Sequence, residues 1–90
     1  MYALEFTNQY LKDLKKARLR NFDEQKLNEV IEILITGAKL PKKYKEHQLK
    51  GKYKDLLECH ISHDCLLIYS KCKPIKLITL IRTGTHSDLF

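Results

Sequence analysis

No apolar run in this chain of 90 residues approaches the roughly 20 residues needed to cross a bilayer, so a membrane-spanning role is not expected. The opening Met1-Tyr2-Ala3-Leu4-Glu5-Phe6 has no basic start followed by an apolar block, and no export signal is read there. There are three cysteines, an odd count that argues against a disulfide framework. Cys59, Cys65 and Cys72 are expected to be small, reduced core residues. Neither an internal repeat nor a low-complexity segment is present. Together these absences point to one cytoplasmic domain spanning residues 1–90. A chain this short buries only roughly 60 to 65% of the surface it exposes unfolded, so its core must be thin.

Charge is present in quantity, and it is unevenly placed. The formal net charge is +6. Residues 1–37 carry six basic and six acidic side chains, whereas the remainder carries eleven basic against five acidic. Between Ala38 and Lys54, the seven lysines Lys39, Lys42, Lys43, Lys45, Lys50, Lys52 and Lys54 face only Glu46. A polyanionic partner is the natural inference; the competing reading is a loop that lysines merely keep solvated.

The pattern of apolar residues predicts an α+β domain. Tyr2 to Phe6 alternates and reads as a strand, with Thr7-Asn8 leading into a helix. From Asn8 to about Arg20, Tyr10, Leu11, Leu14, Ala17 and Arg18 form one stripe, leaving Lys12, Asp13, Lys15 and Lys16 to water. A second helix begins at Asp23, with Phe22 and Leu27 placed as a hydrophobic staple. Leu27, Val30, Ile31 and Leu34 line its inner side, and Gly37 is placed to end it in a left-handed conformation. After the lysine-rich connection, Lys52 to Ile61, Cys65 to Cys72 and Lys76 to Thr83 read as strands of an antiparallel meander, with Lys73-Pro74 at the last turn. The order is strand, helix, helix, strand, strand, strand. It predicts two layers: an N-terminal strand and an antiparallel helix hairpin packed on a small, mainly antiparallel sheet. The sheet face away from the helices is expected to carry function.

Chemistry concentrates around Glu58-Cys59-His60-Ile61-Ser62-His63-Asp64. In an extended Lys52 to Ile61, side chains alternate. Tyr53, Leu57, Cys59 and Ile61 then face the core, while Lys54, Glu58 and His60 share a wet surface. Every histidine, His47, His60, His63 and His86, lies in the second half of the chain. Gly84 permits a sharp turn that folds His86 back toward the sheet end. Imidazoles, carboxylates, an arginine and many lysines suggest metal-free phosphodiester chemistry on RNA. A ribose 2′-hydroxyl needs a base and the leaving 5′-oxygen needs an acid; histidine, with an ordinary pKa of about 6.5, suits both tasks. Arg82 can hold two phosphate oxygens in its planar fork, unless it only pairs with Glu58 or Asp88. Tyr44, Tyr53 and Phe90 offer faces for stacking on bases. Lys43, Lys45, Lys50, Lys52 and Lys54 are candidates for the RNA backbone. Zinc held by Cys59, His60, His63 and Cys65 is disfavoured, because Cys59 and His60 point to opposite faces of a strand.

These residues also resemble a known family. His47-Gln48-Leu49-Lys50-Gly51, Tyr53-Lys54-Asp55, Glu58-Cys59-His60 with Asp64, Leu67-Ile68-Tyr69, and the closing Arg82-Thr83-Gly84-Thr85-His86-Ser87-Asp88-Leu89-Phe90 are similar to the YafQ group of the RelE/ParE toxin superfamily. The resemblance implies a RelE-like βααβββ fold and a bacterial type II toxin that cuts mRNA, typically on the ribosome, with no metal cofactor. It implies functional roles for His47, Glu58, His60, Asp64, Arg82, His86 and Phe90. His86 is the leading general-acid candidate, His47 and His60 are candidates for base or phosphate orientation, and His63 has no matching role. A cognate antitoxin with an acidic or amphipathic C-terminal segment is also implied, with operator DNA reached only through that antitoxin. Two other readings compete. A non-enzymatic relative would block a protein such as DNA gyrase, and a plain RNA-binding module would bind without cutting.

Overall fold

The computed structural model describes residues 1–90. Strand β1 is Ala3–Phe6 and helix α1 is Asn8–Leu19. Thr7 caps α1, its side chain accepting from the Tyr10 N–H, a contact that contributes about 1 kcal/mol. The buried stripe of α1 is Tyr10, Asp13 and Ala17, with Leu14 packed beside it. This corrects the sequence reading at three positions. Leu11 is half exposed, Arg18 pairs with Glu24 at the surface, and Asp13 lies under cover instead of in water.

Helix α2, Glu24–Thr36, follows the sequence closely. Asp23 caps it by accepting from the Lys26 N–H, and Leu27, Val30 and Leu34 are buried with Ile31 against them. Fully burying one such aliphatic side chain is worth roughly 1.5–3 kcal/mol. Gly37 ends the helix at φ 83° with its N–H on the Leu34 carbonyl. A side chain there would also meet the Tyr2 ring at 3.1 Å, so glycine is required twice over.

The sheet has five strands in the order β1-β5-β4-β3-β2. Strand β2 is His47–Gln48, β3 is Leu57–Ser62, β4 is Cys65–Cys72 and β5 is Leu77–Gly84. The predicted antiparallel meander is β3-β4-β5, and β1 joins its far edge parallel to β5. One strand is shorter than the sequence suggests. Gly51–Tyr53 forms a single 3-10 turn, Gly51 adopting φ 69°, so pairing begins only at Leu57. Tyr53 therefore lies outside the strand alternation and is 41% exposed, not directed into the core, and Lys54 likewise drops off the strand.

Cys59, Ile61, Leu67, Tyr69, Ile78 and Leu80 meet the helices in one core. Leu66 and Ile68 are also buried but stand apart from that core, on the other side of β4. Tyr53, just before β3, and Phe90, beyond β5, meet edge to face at 6.4 Å. Because β4 runs between β3 and β5, this aromatic pair reaches across it. Cys59 and Cys65 are buried free thiols, and burial pushes the Cys59 thiol up to about 12. Cys72 departs from expectation, since it is exposed.

Candidate active site

Strand pairing decides which distant residues meet. His47 pairs with Glu58, Glu58 with Ile68, and Ile68 with Arg82; on the adjacent rung, His60 pairs with Leu66 and Leu66 with Gly84. Adjacent strands lie about 4.8 Å apart, so His60 and Gly84 stand roughly 10 Å from each other across β4. Two neighbouring rungs of one sheet thus carry most of the candidate set.

The tightest group is His47, Glu58 and His60. Glu58 and His60 alternate with the core residues Cys59 and Ile61 and so face away from the core. His47 Nε2 lies 3.3 Å from Glu58 Oε1, and the His47 and His60 rings are 6.3 Å apart. Glu58 was expected on a wet surface; instead it is 6% exposed, with the half-exposed His47 over it. His47 Nδ1 stands 3.0 Å from the Lys45 carbonyl, so an acceptor faces each ring nitrogen. The loop bearing His47 is fastened from below, because the buried Tyr69 hydroxyl donates to Glu46. Burial and that hydrogen bond push the Tyr69 phenol well above its ordinary value.

A second group lies at the chain's end. Helix α3, His86–Leu89, is opened by a capping box in which the Thr85 side chain accepts from the Asp88 N–H and the Asp88 carboxylate accepts from the Thr85 N–H. Asp88 also takes Arg20 at 2.7 Å and Lys16 at 3.3 Å. The backbone N–H of Thr85, the Arg20 guanidinium and these further donors hold its carboxyl far below the usual range. This clamp ties α3 to α1. Gly84, at φ 151°, admits Asp88 at a distance of 3.1–3.2 Å from where a Cβ would sit. The result presents His86 at the surface, its ring 5.2 Å from Phe90.

Arg82 departs from both of its predicted structural partners. Its Nε and Nη2 each donate to Asp13 of α1 at 3.0 Å, and the Thr83 N–H and Gln9 side chain also donate to that carboxylate. Burial raises the Asp13 pKa, but these hydrogen bonds and the Arg82 charge outweigh it and leave it lowered. Asp13 occupies one edge of the guanidinium and fixes its plane. The Nη1–Nη2 edge stays available, since a guanidinium has five N–H donors.

Asp64 sits exposed in the β3–β4 turn and lines, with Arg82, a groove of about 450 Å³ against α1. His63, from the same turn, lines a different cleft with His60. Asp64 and His63 therefore part company across the turn.

A family model described as "Bacterial toxin of type II toxin-antitoxin system, YafQ" matches residues 2–90. The chain belongs to the YafQ toxin family. The mRNA interferase toxin YafQ of Escherichia coli K12 is 40% identical over 88 residues, covering 97% of this chain and 94% of the relative. YafQ in the crystal structure of the E. coli DinJ-YafQ complex superposes with a TM-score of 0.91 at 36% identity, covering 100% of this chain and 99% of that one. A copper-bound mutant toxin from Helicobacter pylori superposes at 0.93 with 39% identity and full coverage of both chains. Here no group of three or more His, Cys, Asp or Glu side chains is arranged to hold a metal ion.

Within this YafQ-family site, sequence reasoning missed Asp13 and Asp88. Both had a signal. Asp13 falls on the spacing of Tyr10 and Ala17, inside the apolar stripe, and Thr85-His86-Ser87-Asp88 has the spacing of a capping box. Strand β2, two residues long, has no local signature.

Proposed function

We propose that this YafQ-family toxin is an mRNA interferase, a metal-independent endoribonuclease that cuts by histidine acid–base catalysis, with mRNA on the ribosome as substrate. The observation that carries this reading is the His47–Glu58–His60 cluster beside a lysine-rich loop, across β4 from the end of β5 that leads to His86. In this reading a base removes the proton of a ribose 2′-hydroxyl, the oxygen attacks the adjacent phosphorus, and the 5′-oxygen leaves with a proton from the acid. The products are a 2′,3′-cyclic phosphate and a 5′-hydroxyl end.

His86, surface-presented beside Phe90, is assigned as the acid. His47 is assigned to orient the phosphate, exchanging its contact with Glu58 for one with a phosphate oxygen, while the Lys45 carbonyl holds its other ring nitrogen. His60 serves as base. The free edge of Arg82 takes charge on the non-bridging oxygens, where a preorganised donor is worth more than in water. Phe90 and Tyr53 supply faces for an unstacked base, and Asp64 steadies the strand from the turn. Lys43, Lys45, Lys50, Lys52 and Lys54 neutralise the RNA backbone. A cognate antitoxin with an acidic or amphipathic C-terminal segment suits this basic surface, in keeping with the E. coli relative that is crystallised with DinJ; operator DNA is then reached through that partner.

Primer extension on a message translated with and without the purified chain tests this reading. Cleavage is expected to persist in EDTA and to disappear in His60→Ala and His86→Ala, with far-UV circular dichroism unchanged. Intact message with the wild-type chain, or full cleavage by both variants, overturns it.

A further inference from the structure

Beside the outer edge of β3 lies a cleft of about 320 Å³, of whose lining the chemistry above leaves Lys26 and His63 without a part. Strand β2 pairs only with Leu57 and Glu58, so the remainder of that edge, from His60 to Ser62, opens onto it. The cleft is bounded by Lys26 and Glu29 of α2, Lys43 and Lys45 of the lysine-rich loop, and His60 and His63. Three ammonium groups thus face one carboxylate. None of the three lysines is in an ion pair: the chain's pairs are Lys16 and Arg20 with Asp88, Arg18–Glu24, His47–Glu58 and Arg82–Asp13.

One feature sets these cations apart from a merely solvated surface. Lys26 stands in the first turn of α2, where the helix dipole disfavours positive charge. Lys45, at φ 51°, closes the 3-10 turn Lys42–Tyr44 with its N–H on the Lys42 carbonyl, which fixes it at the end of the lysine-rich turn. His60 belongs both to the candidate active site and to the cleft wall, so the two are continuous.

We infer that this cleft binds a backbone phosphate of the RNA strand adjoining the scissile linkage, with Lys26 and His63 as its new contacts alongside Lys43 and Lys45. The inference rests on the ribonuclease reading and adds to it a path: the strand runs from the His47–His60 pair over the β3–β4 turn. The volume lies at the lower end for small-ligand sites, fitting one phosphate with its sugar. Glu29 is the opposing charge, so its removal should tighten binding.

Fluorescence anisotropy of the full chain with 2′-O-methyl RNA, which cannot be cut, reads binding alone. Lys26→Ala is expected to weaken binding and reduce the slope of log K against log salt by about 0.7, the loss of one single-strand phosphate contact. His63→Ala should weaken it further, and Glu29→Gln should strengthen it. A methylphosphonate replacing the one contacted phosphate should weaken the wild-type chain more than it weakens Lys26→Ala, which keeps Lys43, Lys45 and His63. An unchanged salt slope in Lys26→Ala, or equal sensitivity of both proteins across the methylphosphonate series, overturns the inference. So does lost antitoxin affinity with RNA binding intact, which would give the cleft to the protein partner. Cutting of unmodified RNA is scored separately. A chain that shows this binding pattern but never cuts refutes the ribonuclease reading, and one that cuts with Lys26→Ala unaffected refutes only the subsite.

Discussion

Asp13→Asn removes one charge from a carboxylate that accepts four N–H donors, two of them from Arg82. The amide keeps the shape but loses an acceptor, so its NH₂ must face another donor. A hydrogen bond to a charged group contributes roughly 1.5–3 kcal/mol, and an exposed ion pair about 0–1 kcal/mol. Asp13 is 8% exposed and Arg82 33%, so the expected cost lies between, at about 1–2 kcal/mol. For a domain of this size that lowers Tm by roughly 5–15 °C. Calorimetry at a series of pH values tests the cause as well as the size. The folded pKa of Asp13 is depressed, so its stabilisation is present above the ordinary carboxylate value near 3.9 and is lost as pH falls through the folded value. The gap in Tm between wild type and variant should therefore be wide at neutral pH and close in strong acid. Asp88 titrates in both proteins and cancels in the difference. A gap that stays constant from neutral to strongly acidic pH would show that packing, not the charge, is at stake.

Asp88→Ala releases α3 from α1 by removing a capping contact of about 1 kcal/mol and two exposed ion pairs of at most about 1 kcal/mol each. Because His86 and Phe90 ride on that helix, the turnover rate should fall by up to about tenfold and Tm by roughly 6–11 °C, as a loss of about 1.4 kcal/mol is a factor of ten in the docking equilibrium. Gly84→Ala places a Cβ 3.1–3.2 Å from Asp88 at a φ of 151°; a cost of about 1–3 kcal/mol should appear as a lower midpoint in urea with an unchanged slope.

Much of this architecture is written locally. The caps at Thr7 and Asp23, the left-handed Gly37, the buried stripe of α2 and the full extent of β4 follow from residues within a turn or two of each other. Such signals act over short range, so a sequence displays them directly. The start of β3 is not legible in this way, because Lys52–Ile61 alternates well enough to read as extended while Gly51 curls the first residues into a 3-10 turn. That slip carried Tyr53 from the core to the surface, where it meets Phe90.

Residue types alone made His47, His60, His86, Glu58 and Arg82 candidates for chemistry, and the charge count located the lysine-rich loop. Their arrangement was beyond the sequence. His47 reaches Glu58 through a two-residue strand, Arg82 finds Asp13 across 69 positions, and α3 is held by Lys16 and Arg20 from the opposite end of the chain. Pairings of that kind depend on strand register and on how α1 lies over β5, quantities fixed by packing the whole core at once, and no stretch of sequence carries them by itself.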